Sequence, residues 1–141
     1  MAVQPPSISR AAPSSPRSTI YVADDDADVL GSLRFLLETD GFEVRAFQSG
    51  AALLDALDQT PIDCFLIDYR MPGINGVELT EELRKRGVTA PVIMISGHYD
   101  GRLEARAAAA GVHDFLLKPL LDDNVAKRIR SAIAEHTDGP R

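Results

Sequence analysis

The 141-residue sequence predicts an α/β fold in which a doubly wound, five-stranded parallel sheet carries five helices on its two faces. Three observations lead there. From Thr19 onward, five short apolar runs alternate with five amphipathic stretches. The connections between them are short, which makes successive units right-handed βαβ crossovers. The apolar runs also end abruptly in polar, mostly acidic residues, as strands do where they reach a cleft.

The first run, "TIYVA" (19–23), reads as a buried strand. Asp26 can cap a helix whose Leu30, Leu33 and Leu37 recur at helical spacing, with Val29 and Leu36 alongside. Gly41, after "LLETD", is a helix stop. "FEVRAF" (42–47) alternates as a strand at a sheet edge does. Ser49 caps a short helix buried through Leu53, Leu54 and Leu57, and Pro61 breaks the chain after it. "IDCFLI" (62–67) is apolar enough for a strand covered on both faces.

"MPGINGVEL" is a loop turning into a helix. Pro72, Gly73 and Asn75-Gly76 supply the turn chemistry, Leu79 and Leu83 the buried stripe, and Gly87 the stop. "PVIMI" (91–95) is a fourth strand, and "DGRLEARAAAAG" a fourth helix ending at Gly111. "VHDFLL" (112–117) is a fifth strand. Asp122 and Asp123 open a last helix with Val125, Ile129, Ala132 and Ile133 inward and Lys127, Arg128 and Arg130 outward.

Composition bounds the function. Hydrophobic residues make up 45% of the chain and charged residues 26%, enough for one well-buried domain with an ordinary surface. Cys64 is the single cysteine, which excludes an internal disulfide and a cysteine-based zinc site and suits a reducing cytoplasm. It lies within an apolar run, so it reads as core. No apolar leader and no run long enough to span a membrane is expected. A formal charge of −6 argues against direct nucleic-acid binding. Residues 1–18 carry Arg10 and Arg17 but no acid, and Pro5, Pro6, Pro13 and Pro16 interleave with serines. That segment reads as a disordered tail.

The chemistry gathers at the strand ends. Strand one ends in Asp24-Asp25, strand three in Asp68, strand four in Ser96 and strand five in Lys118-Pro119. In a sheet of order 2-1-3-4-5, strands one, three, four and five are neighbours, and these groups converge in one cleft. Two carboxylates about 4 Å apart repel by roughly 4 kcal/mol at an effective dielectric of 20, so the cluster needs a positive partner. Carboxylates, a carbonyl and waters make a site for a hard cation, Mg²⁺ or Mn²⁺.

"VADDDADV", "LIDYRMPGINGVEL", "VIMISGH" and "DFLLKPL" resemble, in order and spacing, the motifs of the receiver domain of two-component response regulators. The resemblance runs from about Thr19 to Glu135. It implies a flavodoxin-like (CheY-like) fold, a receiver domain over 19–137 and a short tail at 138–141. It also implies that Asp68 accepts a phosphoryl group from a histidine kinase or histidine phosphotransfer protein. By the same resemblance Asp25 ligates the metal directly, Asp24 acts through water or orientation, and Arg70 offers its backbone carbonyl. Ser96 hydrogen-bonds the phosphoryl and Lys118 pairs with its oxygens. Ser96 and Phe115 match the family's switch pair, Phe115 replacing the frequent tyrosine. Lys118-Pro119 matches a site where the family often has a cis peptide.

Arg70 and His98, two residues after Asp68 and Ser96, are placed to admit, orient or block a hydrolytic water and so to tune phosphoryl lifetime. The implied protein is a cytoplasmic, single-domain, non-enzymatic regulator with an unnamed target protein and a phosphorylation-dependent dimer among its partners. Its output is open between target binding, relay and phosphate sink. The expected output face is the fourth helix, fifth strand and fifth helix. Two alternatives stand beside it. Asp24-x-Asp26 also resembles the nucleophile motif of haloacid-dehalogenase-type phosphatases, although "SGHYD" lacks their later acidic pair. Ser96-Gly97-His98 resembles receivers fused to a helix-turn-helix output, so the chain can also be the receiver part of a longer DNA-binding regulator. A receiver-like scaffold that works without phosphorylation is a third class, disfavoured by the complete site.

Overall fold

A computed structural model describes residues 17–57, 61–120 and 124–137. Five strands, β1 (Thr19–Ala23), β2 (Glu43–Phe47), β3 (Cys64–Asp68), β4 (Val92–Ser96) and β5 (Asp114–Leu117), form one sheet of order β2-β1-β3-β4-β5. All four pairings are parallel. Five helices alternate with them: α1 (Ala27–Thr39), α2 (Gly50–Asp55), α3 (Gly76–Lys85), α4 (Gly101–Ala110) and α5 (Asn124–Thr137). The order matches the one expected from the sequence, with β2 at an edge.

The local signals act as their chemistry requires. The Asp26 carboxylate accepts the Asp28 and Val29 amides at the start of α1. Ser49 accepts the Ala52 amide at the start of α2. Asn75 and Glu78 form a reciprocal capping box at the start of α3. Gly111 ends α4 at φ 106°, a left-handed conformation that a side chain would strain.

Alternation along the central strands splits the core in two. Ile20, Val22, Leu66 and Ile93 face Leu33 and Leu37 of α1 and Ile129 of α5. Tyr21, Phe65 and Ile67 face Leu53 of α2 and Leu79 and Leu83 of α3. A smaller cluster of Val77, Met94, Leu103 and Ala107 seats α4. Cys64 is fully buried among the first set, and burial, with the nearby Asp63 charge, pushes its thiol up to about 12. It is core, as its sequence context implied.

Two expectations need correction. β3 begins at Cys64, just after Asp63, whose carboxylate accepts the Thr19 amide at 2.8 Å, and it includes Asp68. Arg128 does not simply face outward. Its guanidinium lies on Asp114 with contacts of 2.7 and 2.6 Å, a bidentate pair that ties α5 to β5. Burial opposes the charge on Asp114, but the Arg128 hydrogen bonds outweigh it and hold the carboxyl below its ordinary range. Asp122, Asp123, residues 1–16 and residues 138–141 lie outside the described residues.

Arg84 binds three segments together. It donates to the carbonyls of Val88 at 2.9 Å, Ala90 at 2.8 Å and Gly111 at 2.8 Å, joining the end of α3, the entry to β4 and the end of α4. Desolvation lowers its pKa, and its charge is met by carbonyl dipoles. Arg84→Leu is expected to destabilise the fold by on the order of 2–3 kcal/mol by leaving those carbonyls short of donors, measurable by urea denaturation.

Candidate functional site

The parallel register brings the carboxyl ends of β1, β3, β4 and β5 to one edge of the sheet. Asp24 directly follows β1 and is 0% exposed; Asp68 closes β3 and is 3% exposed. Asp25 is exposed above them. Each of the three offers a carboxylate oxygen, and these oxygens lie within 4.8 Å of one another. They open on a cleft of about 490 Å³ that Arg70, Gly97 and Lys118 also line.

Lys118 supplies the positive charge that the chain itself provides here. Its ammonium lies 3.0 Å from Asp24 Oδ2 and 3.2 Å from Asp68 Oδ1. Burial works against that charge, but the two carboxylates prevail and raise its pKa. The Lys118-Pro119 peptide is cis. Asp24 Oδ1 accepts the Asp26 amide at 3.0 Å, and the buried Oδ2 has the Lys118 ammonium as its partner. One lysine cannot neutralise three carboxylates. Burial first, then the Asp24 charge, raises the Asp68 carboxyl to about 6, with Lys118 limiting the rise.

A divalent cation fits this donor set. Three carboxylates whose oxygens lie within 4.8 Å of one another, faced by one ammonium, offer hard ligands with excess negative charge. Arg70 lines the cleft and its side chain is exposed. Ser96 is nearly buried, and its hydroxyl donates to the His98 carbonyl at 3.0 Å while accepting the His98 amide at 3.3 Å. Its proton thus serves the turn after β4. His98 is exposed, and Gly97, one residue before it, lines the cleft. Phe115 is half-buried against the cluster that seats α4. Gln48 is a residue that sequence reasoning missed: its side-chain amide donates to the Asp25 carbonyl at 3.4 Å. A signal for it exists, since Gln48 follows β2 and β2 adjoins β1.

The family model for the response regulator receiver domain matches residues 20–130. The chain belongs to this family. It is 41% identical over 116 residues to the transcriptional regulatory protein FixJ of Bradyrhizobium diazoefficiens, covering 82% of this chain and 57% of that one. The crystal structure of full-length FixJ from B. japonicum superposes with a TM-score of 0.80 at 39% identity, covering 88% of this chain and 61% of FixJ. A receiver domain protein from Clostridium thermocellum superposes with a TM-score of 0.78 at 30% identity, covering 85% of this chain and 97% of its own. The chain thus spans little more than half the length of the curated relatives it matches.

Receiver domains act in two-component signalling, are phosphorylated by histidine kinases and bind Mg²⁺ at an acidic aspartate cluster. Asp24, Asp25 and Asp68 form such a cluster in this receiver. Among the described residues, no helix is long and apolar enough to cross a membrane.

The raised Asp68 pKa has a defined consequence for the metal-free protein. Between the ordinary value of 3.8 and about 6, the folded state holds a proton that the unfolded state has released. Stability therefore falls as pH rises through that window, and the ionised Asp68 penalises the fold above it. In a chelator at pH 7.5, Asp68→Asn is expected to stabilise the protein by about 2–3 kcal/mol, an advantage that shrinks as pH falls from 6 to 4. Urea denaturation across that range checks it; a gain independent of pH would refute the assignment.

Proposed function

We propose that this receiver is switched by a phosphoryl group on Asp68, taken from a histidine kinase or histidine phosphotransfer protein. The observation that carries the reading is the ionic cluster itself. Asp68 is nearly buried yet opens on the cleft, with Lys118 at 3.2 Å and two further carboxylates beside it. Attack by a carboxylate on a phosphoryl group needs in-line approach and charge neutralisation more than covalent chemistry. Asp68 supplies the nucleophilic oxygen: its O–P bond forms as the N–P bond of the donor's phosphohistidine breaks, and the electron pair leaves on the imidazole nitrogen. Lys118 moves from pairing two carboxylates to pairing the phosphoryl oxygens. Asp25, Asp68 and the Arg70 carbonyl would hold Mg²⁺ or Mn²⁺, and Asp24 would act on it through water or orientation. When bound, the cation supplies the charge that Lys118 alone lacks.

Ser96 is the switching hydroxyl. To reach a phosphoryl group it gives up its bonds to the His98 backbone, which couples the site to the turn leading into α4. Phe115 follows by repacking against Val77, Met94, Leu103 and Ala107. The face of α4, β5 and α5 is thereby offered to a target, to a second copy or to another histidine protein. Domain limits of 19–137, flanked by tails, and a cytoplasmic setting complete the proposal.

Whether this receiver acts alone or regulates an attached output is a separate question. The second reading is favoured by FixJ, which is named a transcriptional regulator and is longer than the matched region. Both readings share the same phosphorylation site.

The experiment is direct. With Mg²⁺ and a small phosphodonor or beryllofluoride, the wild type is expected to gain one adduct by mass spectrometry or fluorine NMR, and Asp68→Asn none. Full labelling of that variant would sink the assignment.

Arg70 is expected to shield the phosphoryl group, since it is cationic, exposed and lines the cleft. Arg70→Ala should shorten the phosphoryl lifetime several-fold. His98→Ala should change it less, because Ser96 is bonded to the His98 backbone, which the substitution retains. Dephosphorylation rates indifferent to both substitutions would place control of water elsewhere.

A further inference from the structure

The loop of residues 69–75 joins Asp68 to α3 and carries the Arg70 carbonyl. Two glycines receive it. At Gly50, which opens α2, an added Cβ would collide with the Ile74 side chain. At Gly76, which opens α3, an added Cβ would lie 2.9 Å from the Asp68 carbonyl oxygen, 2.9 Å from Tyr69 Cα and 3.1 Å from Met94 Cε. The first two of these atoms are backbone and cannot rotate aside.

Gly76 is not needed for its dihedral angles. It is helical and is not among the glycines at positive φ in the described residues. A helical glycine is disfavoured relative to alanine, so the residue at this position is chosen for the space it leaves. The surroundings make that space rigid. The Gly76 amide donates to the Tyr69 carbonyl at 2.9 Å, and its own carbonyl accepts the buried Thr80 hydroxyl at 2.8 Å. On the other side, the Tyr69 amide donates to Ile95 of β4 at 2.8 Å. Tyr69 is therefore held through both of its backbone groups, its amide on β4 and its carbonyl on the first residue of α3.

We propose that Gly76 is a positioning residue for the phosphoacceptor site. The missing side chain lets α3 close onto the end of β3, and this contact sets the aim of the Asp68 carboxylate and the place of the Arg70 carbonyl. The inference rests on the reading of Asp68 as phosphoacceptor and cation ligand. A site of this kind works only when its groups are held to within about 0.5 Å, and a Cβ at 2.9 Å from backbone forces a shift of comparable size.

The test compares Gly76→Ala with the wild type in three measurements: Mg²⁺ affinity by NMR titration, beryllofluoride uptake on Asp68 by fluorine NMR, and stability by urea denaturation. Gly31 sits in α1 with nothing within 4 Å of where its Cβ would stand, so Gly31→Ala provides a stabilised background for both proteins. The expected result is a folded Gly76→Ala variant whose Mg²⁺ affinity falls about 10-fold or more, the loss typical when the support of a metal ligand is removed. Beryllofluoride uptake should fall in parallel. Adding Met94→Ala should not restore either, because the two backbone contacts remain.

Each other outcome overturns the proposal. A folded variant with wild-type Mg²⁺ and beryllofluoride binding would show that the close contact does not aim the site. Recovery by Met94→Ala would assign the effect to core packing. Failure to fold in both backgrounds would make the glycine a requirement of the fold. A wild type that takes up neither Mg²⁺ nor beryllofluoride would instead overturn the phosphoacceptor reading, and this inference with it.

Discussion

Like charges held together govern this molecule. Asp24 and Asp68 are nearly or fully buried, Asp25 stands above them, and their oxygens lie within 4.8 Å. Isolated carboxylates in such a place would protonate or pull apart. Lys118 keeps them assembled by bridging Asp24 and Asp68, but one positive charge leaves the cluster in deficit. The rise of Asp68 to about 6 expresses burial together with that deficit. A site under this tension has affinity in reserve for a divalent cation.

The rest of the fold keeps the tension from relaxing. Each acid sits at the end of a strand buried on both faces, so the backbone beneath it cannot retreat. The Asp24 amide donates to Phe47 of β2 and the Tyr69 amide to Ile95 of β4, extending the parallel ladders beyond the strands into the cleft. Lys118 is held in the same way, its amide donating to the Ser96 carbonyl at 2.8 Å. Farther from the cleft, Arg84 and the Arg128–Asp114 pair fasten α3, α4 and α5 to the sheet. Rigidity is concentrated in the sheet and these clamps. The turn after β4 is exposed, and the Ser96 hydroxyl ties it to the end of that strand.

Much of this was legible in the order of residues. Hydrophobic periodicity, caps at Asp26, Ser49 and Asn75, and the stop at Gly111 are local signals, read within one turn of chain, and the elements obey them closely. The acids, the serine and the lysine could be placed at one cleft because a parallel sheet puts all carboxyl ends on one edge. The alternation of strand and helix was enough to identify that edge. The family match over residues 20–130 agrees with the motifs that carry the resemblance.

No local signal contains distance across the fold. The Asp63 carboxylate meets the Thr19 amide, yet those residues are far apart in the chain. Arg128 reads as a surface residue by helical spacing until β5 brings Asp114 within 2.6 Å of it. Gln48 reaches Asp25 only because β2 adjoins β1. Gly76 reads as part of a turn, and only the packing of α3 against the end of β3 reveals that a Cβ there would strike backbone. Residue types and their spacing determine which groups exist and at which strand end, since those depend on short-range periodicity and chain order. Tertiary structure decides which charges pair and how far Asp68 shifts, because Coulomb energy and desolvation depend on separations that exist only once the sheet has closed.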